Sequence, residues 1–229
     1  MSSADRIDYF NGLGDKFEQY MSDYDVERRQ FLIFSQLLKD KKLQGADVLE
    51  VGCGTGRFSE QIVKLGGKLT VLDIGSNLVD EVTRRLSCAG LVGDACDLPI
   101  ADGSFDFVIS SECIEHTLNP KQAIKEMCRV CRQGGMVCLT SPNKLWYPVL
   151  VASRKLRLRR FSGIENWVWP REAVAVMLEE GIRDVVMGGC HLWPFQIKFS
   201  RFVLRRVDAL GRWLYPVMIN FGVTGHKDV

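Results

Sequence analysis

A short apolar strand that runs directly into a cluster of glycines constrains this chain more than any other feature. The segment reads Val48-Leu-Glu-Val-Gly52-Cys-Gly54-Thr-Gly56-Arg-Phe. The apolar residues around Glu50 fit a buried strand, and Arg57 to Leu65 fits a helix closed by Gly66-Gly67. Three glycines at that handover permit positive φ and remove Cβ atoms where a ligand must touch backbone. Ligands of open α/β sheets sit at the carboxyl ends of the strands, so this loop marks the floor of a binding site. Its G-x-G-x-G spacing differs from the G-x-G-x-x-G of dinucleotide-binding folds.

The same alternation continues on both sides. Strands are predicted over Lys68–Leu72, near Leu91-Val92, and over Phe105–Ser110 and Met136–Thr140; helices over Asn77–Leu86 and, behind Pro120, over Lys121–Arg132. Upstream, Asp25–Lys42 has the spacing of an amphipathic helix ended by Leu43-Gln-Gly45. Downstream, Pro170–Glu180 reads as a helix, Asp184–Met187 as a strand, Gln196–Leu214 as an amphipathic helix and Val217–Thr224 as a last strand. Strand and helix alternate at least four times with short connections, which predicts an α/β, doubly wound, mostly parallel sheet. No linker divides the 229 residues. The expectation is one domain: an N-terminal helical cap (1–44), a binding core (45–143), and a substrate-side segment with the last part of the sheet (144–229).

Seventeen residues beyond Gly56, Asp73 ends the second strand, where a carboxylate can accept both ribose hydroxyls of a nucleoside. Asp94 and Ala95 follow the third strand, in position to meet an adenine edge. With these features in order, residues 45 to 145 resemble the class I S-adenosylmethionine-dependent methyltransferases. The matching stretches are Val48 to Arg57, Val71 to Ile74, Gly93 to Pro99, Ser104 to Pro120 and Arg129 to Asn143. The resemblance implies a Rossmann-like fold with S-adenosylmethionine as cofactor. It places Gly52, Gly54 and Gly56 near the methionine part of the cofactor, Asp73 with Ile74 at the ribose, and Asp94 with Ala95 at the adenine. It also implies that Glu50 reaches the cofactor's amino end, that Cys53 fills space in the loop, and that Ser110 belongs to the cofactor site.

Methyl transfer from a sulfonium is an in-line displacement, so the protein must fix an acceptor behind the methyl carbon and take its proton. Just past the fourth strand the chain reads Ser110-Ser-Glu112-Cys-Ile-Glu115-His116. His116 is the candidate general base, with an ordinary pKa of about 6.5, and Glu115 its neighbour. Glu112, Glu115 and His116 stand at i, i+3 and i+4, so one helical turn would present all three to Mg²⁺ or Mn²⁺, with a further ligand to come from His191 or another carboxylate. The E-x-x-E-H string is similar to that of ubiquinone-pathway O-methyltransferases and small-RNA 2′-O-methyltransferases. The leading reading is methylation of an oxygen on a small-molecule, glycan or lipid-linked acceptor. Metal-assisted RNA 2′-O-methylation and a non-catalytic, cofactor-binding partner protein are the alternatives.

Composition narrows the setting. A net charge of +2 argues against broad nucleic-acid binding. It conceals a split, with 16 Lys+Arg against 21 Asp+Glu in residues 1–143 and 14 against 7 in residues 144–229. All five tryptophans (146, 167, 169, 193, 213) fall in the second part. Interleaved cations and aromatics there suggest an anionic or amphipathic partner, including peripheral contact with an anionic membrane. Tyr9, Phe10, Phe17, Tyr20 and Tyr24 are expected to roof the site together with Lys144–Trp169. The eight cysteines lie in apolar or periodic stretches and read as buried thiols of a reducing compartment, with Cys128 and Cys131 packed within one helix rather than binding zinc. With no apolar leader near Met1, the expected location is cytoplasmic.

Overall fold

The computed structural model describes Gly12 and residues 23–156, 165–192 and 206–228. Its centre is one seven-stranded sheet. Strands β1 (Asp47–Val51), β2 (Lys68–Asp73), β3 (Ala89–Val92), β4 (Phe105–Ser111) and β5 (Cys131–Pro142) run parallel in the order β3-β2-β1-β4-β5. The chain then adds β6 (Ile182–Cys190) at the far edge and inserts β7 (Asn220–Lys227) antiparallel between β5 and β6. This is the doubly wound, mostly parallel, Rossmann-like sheet that the alternation predicts.

Successive side chains of a strand point to opposite faces, and here both directions are buried. Leu49, Leu72, Val108 and Val137 enter one core with Ile124, Met127 and Met177, whereas Val48, Val71, Ile109 and Cys138 enter the other with Leu32, Ile33 and Ile62. The helices between the strands, α1 (Asp23–Gln30), α2 (Arg57–Lys64), α3 (Ser76–Leu86) and α4 (Pro120–Val130), cover these faces. After β5 come α5 (Tyr147–Lys155) and α6 (Pro170–Glu179).

Several boundaries differ from expectation for identifiable reasons. The first helix continues as a wider π-type turn over Phe31–Leu37 and stops there; after Leu38 no apolar side chain holds Lys39 to Lys42, all exposed. α4 ends at Val130 because the Lys227 ammonium donates to the carbonyls of Cys128 (2.8 Å), Arg129 (3.2 Å) and Cys131 (2.9 Å). Cys131 therefore opens β5 instead of closing the helix, although both thiols of the C-x-x-C are buried. The helix predicted over Gln196–Leu214 lies largely outside the described residues. Its described part breaks at Leu210, because Gly211 packs so tightly on β6 that a Cβ would stand 2.1 Å from the Gly189 carbonyl oxygen. Tyr9, Phe10, Phe17, Tyr20 and Trp193 also lie outside the described residues.

The topology gathers several chain ends at one edge. β1 to β5 finish there, and because Pro142 pairs with Asn220 and Asn220 with Cys190, β6 also ends and β7 begins there.

Candidate functional site

The glycine loop turns at the end of β1 under tight steric rule. Gly52 has φ +78°, and a Cβ on it would lie 2.3 Å from the Cys113 sulfur. Gly54, at φ +50°, turns its N–H onto Asp73 Oδ2 at 2.9 Å, while Asp73 Oδ1 accepts from the Gly75 N–H at 3.0 Å. Two backbone donors thus fix the carboxylate at the end of β2. Burial pushes the Asp73 pKa up, while the N–H groups of Gly75, Gly54 and Ile74 pull against that. Each carboxylate oxygen keeps a second lone pair for a further donor.

Asp73 lies on the wall of an open cleft. Gly52, Cys53, Gly54, Ile74 and Ala95 also line it, as do Arg29, Glu112, Cys113, His116 and Thr117. The groups present suit S-adenosylmethionine: a fixed carboxylate for ribose hydroxyls, apolar Ile74, Leu78 and Ala95 for the adenine, and Arg29 for a carboxylate.

Other predicted residues lie off the wall. Glu50 is only 2% exposed, beneath the loop, where its carboxylate accepts the Ser59 hydroxyl. Burial lifts its pKa to about 8, with Asp73 adding to the shift. Gly56 stands at the start of α2 with φ +81°. Asp94 accepts from the Cys96 N–H at 3.0 Å in the turn beside Ala95. Ser110 is fully buried and donates to the Val51 carbonyl at 2.9 Å; its neighbour Ser111 reaches the cleft. Cys53, buried beside Asp73 and Glu50, has its thiol pKa pushed far up by burial, which makes it an inert filler.

The three residues of the E-x-x-E-H string do not share a helical turn. Glu112 has φ +53°, so the chain reverses there, and only Ile114–His116 form a single 3₁₀ turn. Glu115 is 1% exposed behind His116, its Oε1 3.9 Å from His116 Nε2 and its Oε2 accepting the Ser141 hydroxyl at 3.3 Å. Among the described residues no three His, Cys, Asp or Glu side chains converge as metal ligands do. The donor set does not fit Mg²⁺ or Mn²⁺. His191, one candidate for the further ligand, is engaged elsewhere.

Glu112 instead belongs to a ring of polar groups that closes through the backbone of α1, where Arg29 Nε donates to the Asp25 carbonyl at 3.2 Å. Its Oε2 accepts from Asn220 Nδ2 at 2.5 Å and lies 3.9 Å from Arg29 Nη1. Asn220 Oδ1 meets His191 Nδ1 at 2.9 Å, which requires that nitrogen to carry its proton. His191 Nε2 stands 3.4 Å from Asp25 Oδ1, and Asp25 and Arg29 are one turn apart on α1. Although burial opposes the imidazolium, Cys190 and Asp25 lift His191 to about 10. Burial also raises the pKa of Glu112, against the pull of Arg29, and raises Glu115 well above the usual range, with Glu112 and Glu165 adding repulsion. Glu112 Oε1 is buried without a hydrogen bond.

Sequence reasoning missed Arg29 and Asn220. Consecutive Arg28 and Arg29 on an amphipathic helix were the available signal for the first. Asn220 offered none, because its partners are 29 and 108 residues away.

The family model of the Methyltransferase domain matches residues 49–139. A protein of Mycolicibacterium smegmatis named as a probable S-adenosylmethionine-dependent methyltransferase is 31% identical over 121 residues, 52% of this chain and 46% of that one. The demethylmenaquinone methyltransferase of Renibacterium salmoninarum is 30% identical over 161 residues, 69% of this chain and 65% of that one. This chain thus spans about half to two thirds of the length of these relatives. Among solved structures, a SAM-dependent methyltransferase of Thermotoga maritima superposes with a TM-score of 0.67 at 19% identity, covering 96% of this chain and 98% of that one. Residues 49–139 thus match a methyltransferase domain, and the sheet order and glycine–aspartate cleft resemble those of the class I S-adenosylmethionine-dependent methyltransferases.

Proposed function

We propose that the protein transfers the methyl group of S-adenosylmethionine to an oxygen of a small-molecule, glycan or lipid-linked acceptor. One observation carries this reading: a single cleft joins the Gly52–Gly54 loop and Asp73 to His116 and Glu112 at the carboxyl edge of the sheet. Asp73 would hold the ribose, the backbone of Gly52 to Gly54 and the Arg29 guanidinium the amino-acid end, and Ile74, Leu78 and Ala95 the adenine. When bound, S-adenosylmethionine supplies an electrophilic methyl carbon.

The chain's own part is placement and proton removal. Glu112, on the cleft wall and held through Oε2 by Asn220, accepts a hydrogen bond from the acceptor and orients it. His116, on the cleft wall and backed by Glu115, takes the hydroxyl proton as the oxygen–carbon bond forms and the sulfur–carbon bond breaks. Ubiquinone biosynthesis O-methyltransferase of Xanthomonas euvesicatoria, 32% identical over 109 residues, 45% of this chain and 46% of that one, supports an oxygen acceptor. The test is turnover of a pooled panel of phenols, alcohols and lipid alcohols with labelled cofactor, for wild type and His116→Ala. The variant is expected to keep cofactor affinity and lose roughly 100-fold in turnover. Equal turnover would reduce His116 to a brace, and labelled amines in place of hydroxyls would move the reading to nitrogen.

A further inference from the structure

Exposed cations and Trp213 lie on the two stretches of chain that leave and rejoin the sheet edge where the cleft opens. β5 ends and β7 begins on that edge, so residues 143–156 leave it and residues 206–219 return to it. These two stretches are laced together. Asn143 Nδ2 donates to the carbonyls of Pro216 (3.0 Å) and Met218 (3.2 Å), and Trp146 Nε1 donates to Val217 at 3.0 Å. Their outward side chains are apolar to an unusual degree. Trp213 is 79% exposed, Leu156 68%, Leu210 52%, Val217 46% and Leu145 44%. Scattered exposed apolar residues need no explanation, but neighbours on one edge, led by a tryptophan, mark a binding face.

The exposed charges carried by these two stretches have one sign, with Glu172 near Lys144 and the buried Glu165 paired to Arg154 as the neighbouring acids. Lys144, Lys155, Arg206 and Arg212 are exposed on the two stretches, and their one carboxylate, Asp208, is buried against Arg28. In sequence, residues 144–164 carry six Lys+Arg and no Asp or Glu. Apolar side chains interleaved with cations suit a surface that is anionic outside and apolar beneath. A second copy of this chain would bring like charge against like.

We propose that this edge docks on an anionic lipid bilayer, so that the cleft mouth faces the membrane and draws its acceptor from the lipid phase. The acceptor class rests on the methyl-transfer reading above; the docking does not. The test is flotation with phosphatidylcholine vesicles that contain or lack phosphatidylglycerol, with cofactor affinity measured beside it by calorimetry. Wild type should float with phosphatidylglycerol vesicles at low salt and be partly released as salt rises, since the attraction fades over a Debye length of about 8 Å at physiological ionic strength. Combining Lys144→Gln, Lys155→Gln and Arg212→Gln should weaken partitioning by about 100-fold, at roughly fivefold per cation. Trp213→Ser should abolish the share of binding that survives high salt. None of these four residues lines the cleft, so cofactor affinity should not change. Absence of flotation at low salt, equal flotation on vesicles without phosphatidylglycerol, or indifference to both variants would overturn the proposal. So would a wild-type dimer that Trp213→Ser turns into a monomer, which would assign the face to a second copy. Failure of wild type to bind S-adenosylmethionine would count against the methyl-transfer reading alone and leave the flotation result standing.

Discussion

Replacing Glu50 by Gln should stabilise the protein, and by an amount that depends steeply on pH. Glu50 is 2% exposed at the end of β1, has the Ser59 hydroxyl as its donor, and lies near the carboxylate of Asp73. Burial raises its pKa from 4.5 to about 8. An acid whose folded pKa lies above its unfolded value binds its proton more tightly when folded, so stability is fullest below the unfolded pKa and falls as pH rises toward the folded one. At pH 7 the unfolded chain ionises Glu50 while the folded chain keeps it protonated, a cost of about 2.5 units or roughly 3 kcal/mol relative to pH 4.5. Above pH 8 the cost levels off near 3.5 units, about 5 kcal/mol. Gln keeps an acceptor for Ser59 and does not titrate. The gain of Glu50→Gln, read from urea unfolding at pH 4.5, 7 and 9, should therefore grow by roughly 3 and then 5 kcal/mol from its acid value. Glu112 and Glu115 titrate in both proteins and cancel in the difference, and the lost repulsion from Asp73 is part of the gain. A gain that stays constant within about 0.5 kcal/mol across that range would show that Glu50 carries no burial penalty, and the placement beneath the loop would be refuted.

Asp73→Ala removes the acceptor of the Gly54 and Gly75 N–H groups as well as the ribose acceptor, so calorimetry should show S-adenosylmethionine binding weakened at least tenfold, a loss on the order of 2 to 3 kcal/mol. Gly52→Ala places a Cβ 2.3 Å from the Cys113 sulfur at φ +78°, and should lower the thermal midpoint and cofactor affinity together; a variant matching wild type in both would mean that the loop is not seated on Cys113.

The parts of the site visible in sequence are those set by backbone rules. A glycine loop after a strand, an acid at the next strand's end and short apolar runs are local demands of geometry, and the structure puts Gly52, Gly54, Asp73 and Ala95 on one cleft wall accordingly. The parts that sequence misplaced depend on phase or on distance. β4 runs on through Ser111, and because neighbours on a strand face opposite sides, Ser110 turns to Val51 while Ser111 takes the cleft. The spacing of Glu112, Glu115 and His116 suits a helix, but nothing local announces that Glu112 adopts φ +53° and breaks it. Arg29 and Asn220 come from elements far apart in the chain, and no periodicity connects them to residue 112.

The way the cap is held also explains why the expected helix of residues 25–42 is functional at its beginning and structural at its end. Leu32, Ile33 and Leu37 are buried in the same core as β1 and β2, an apolar attachment that does not discriminate between cleft states. The first turn is held differently. Arg28 pairs with Asp208 through both guanidinium donors, at 2.5 and 2.6 Å, and Asp208 also accepts from the His191 backbone at 3.1 Å. Asp25, His191, Asn220, Glu112 and Arg29 close the second connection around the cleft mouth. Buried ion pairs add little net stability once desolvation is counted, yet they fix one arrangement, since any other leaves a charge unpaired. The ring therefore sets where Arg29 and Glu112 stand rather than how firmly the cap adheres. Arg29 contacts Glu112 only at 3.9 Å, the loosest link of the ring. A cofactor carboxylate at the same guanidinium would draw on that link first, leaving Glu112 held by Asn220 and facing the acceptor. In the proposed assignment, the cofactor and acceptor ends of the cleft share one arginine on a helix whose far end is anchored in the core.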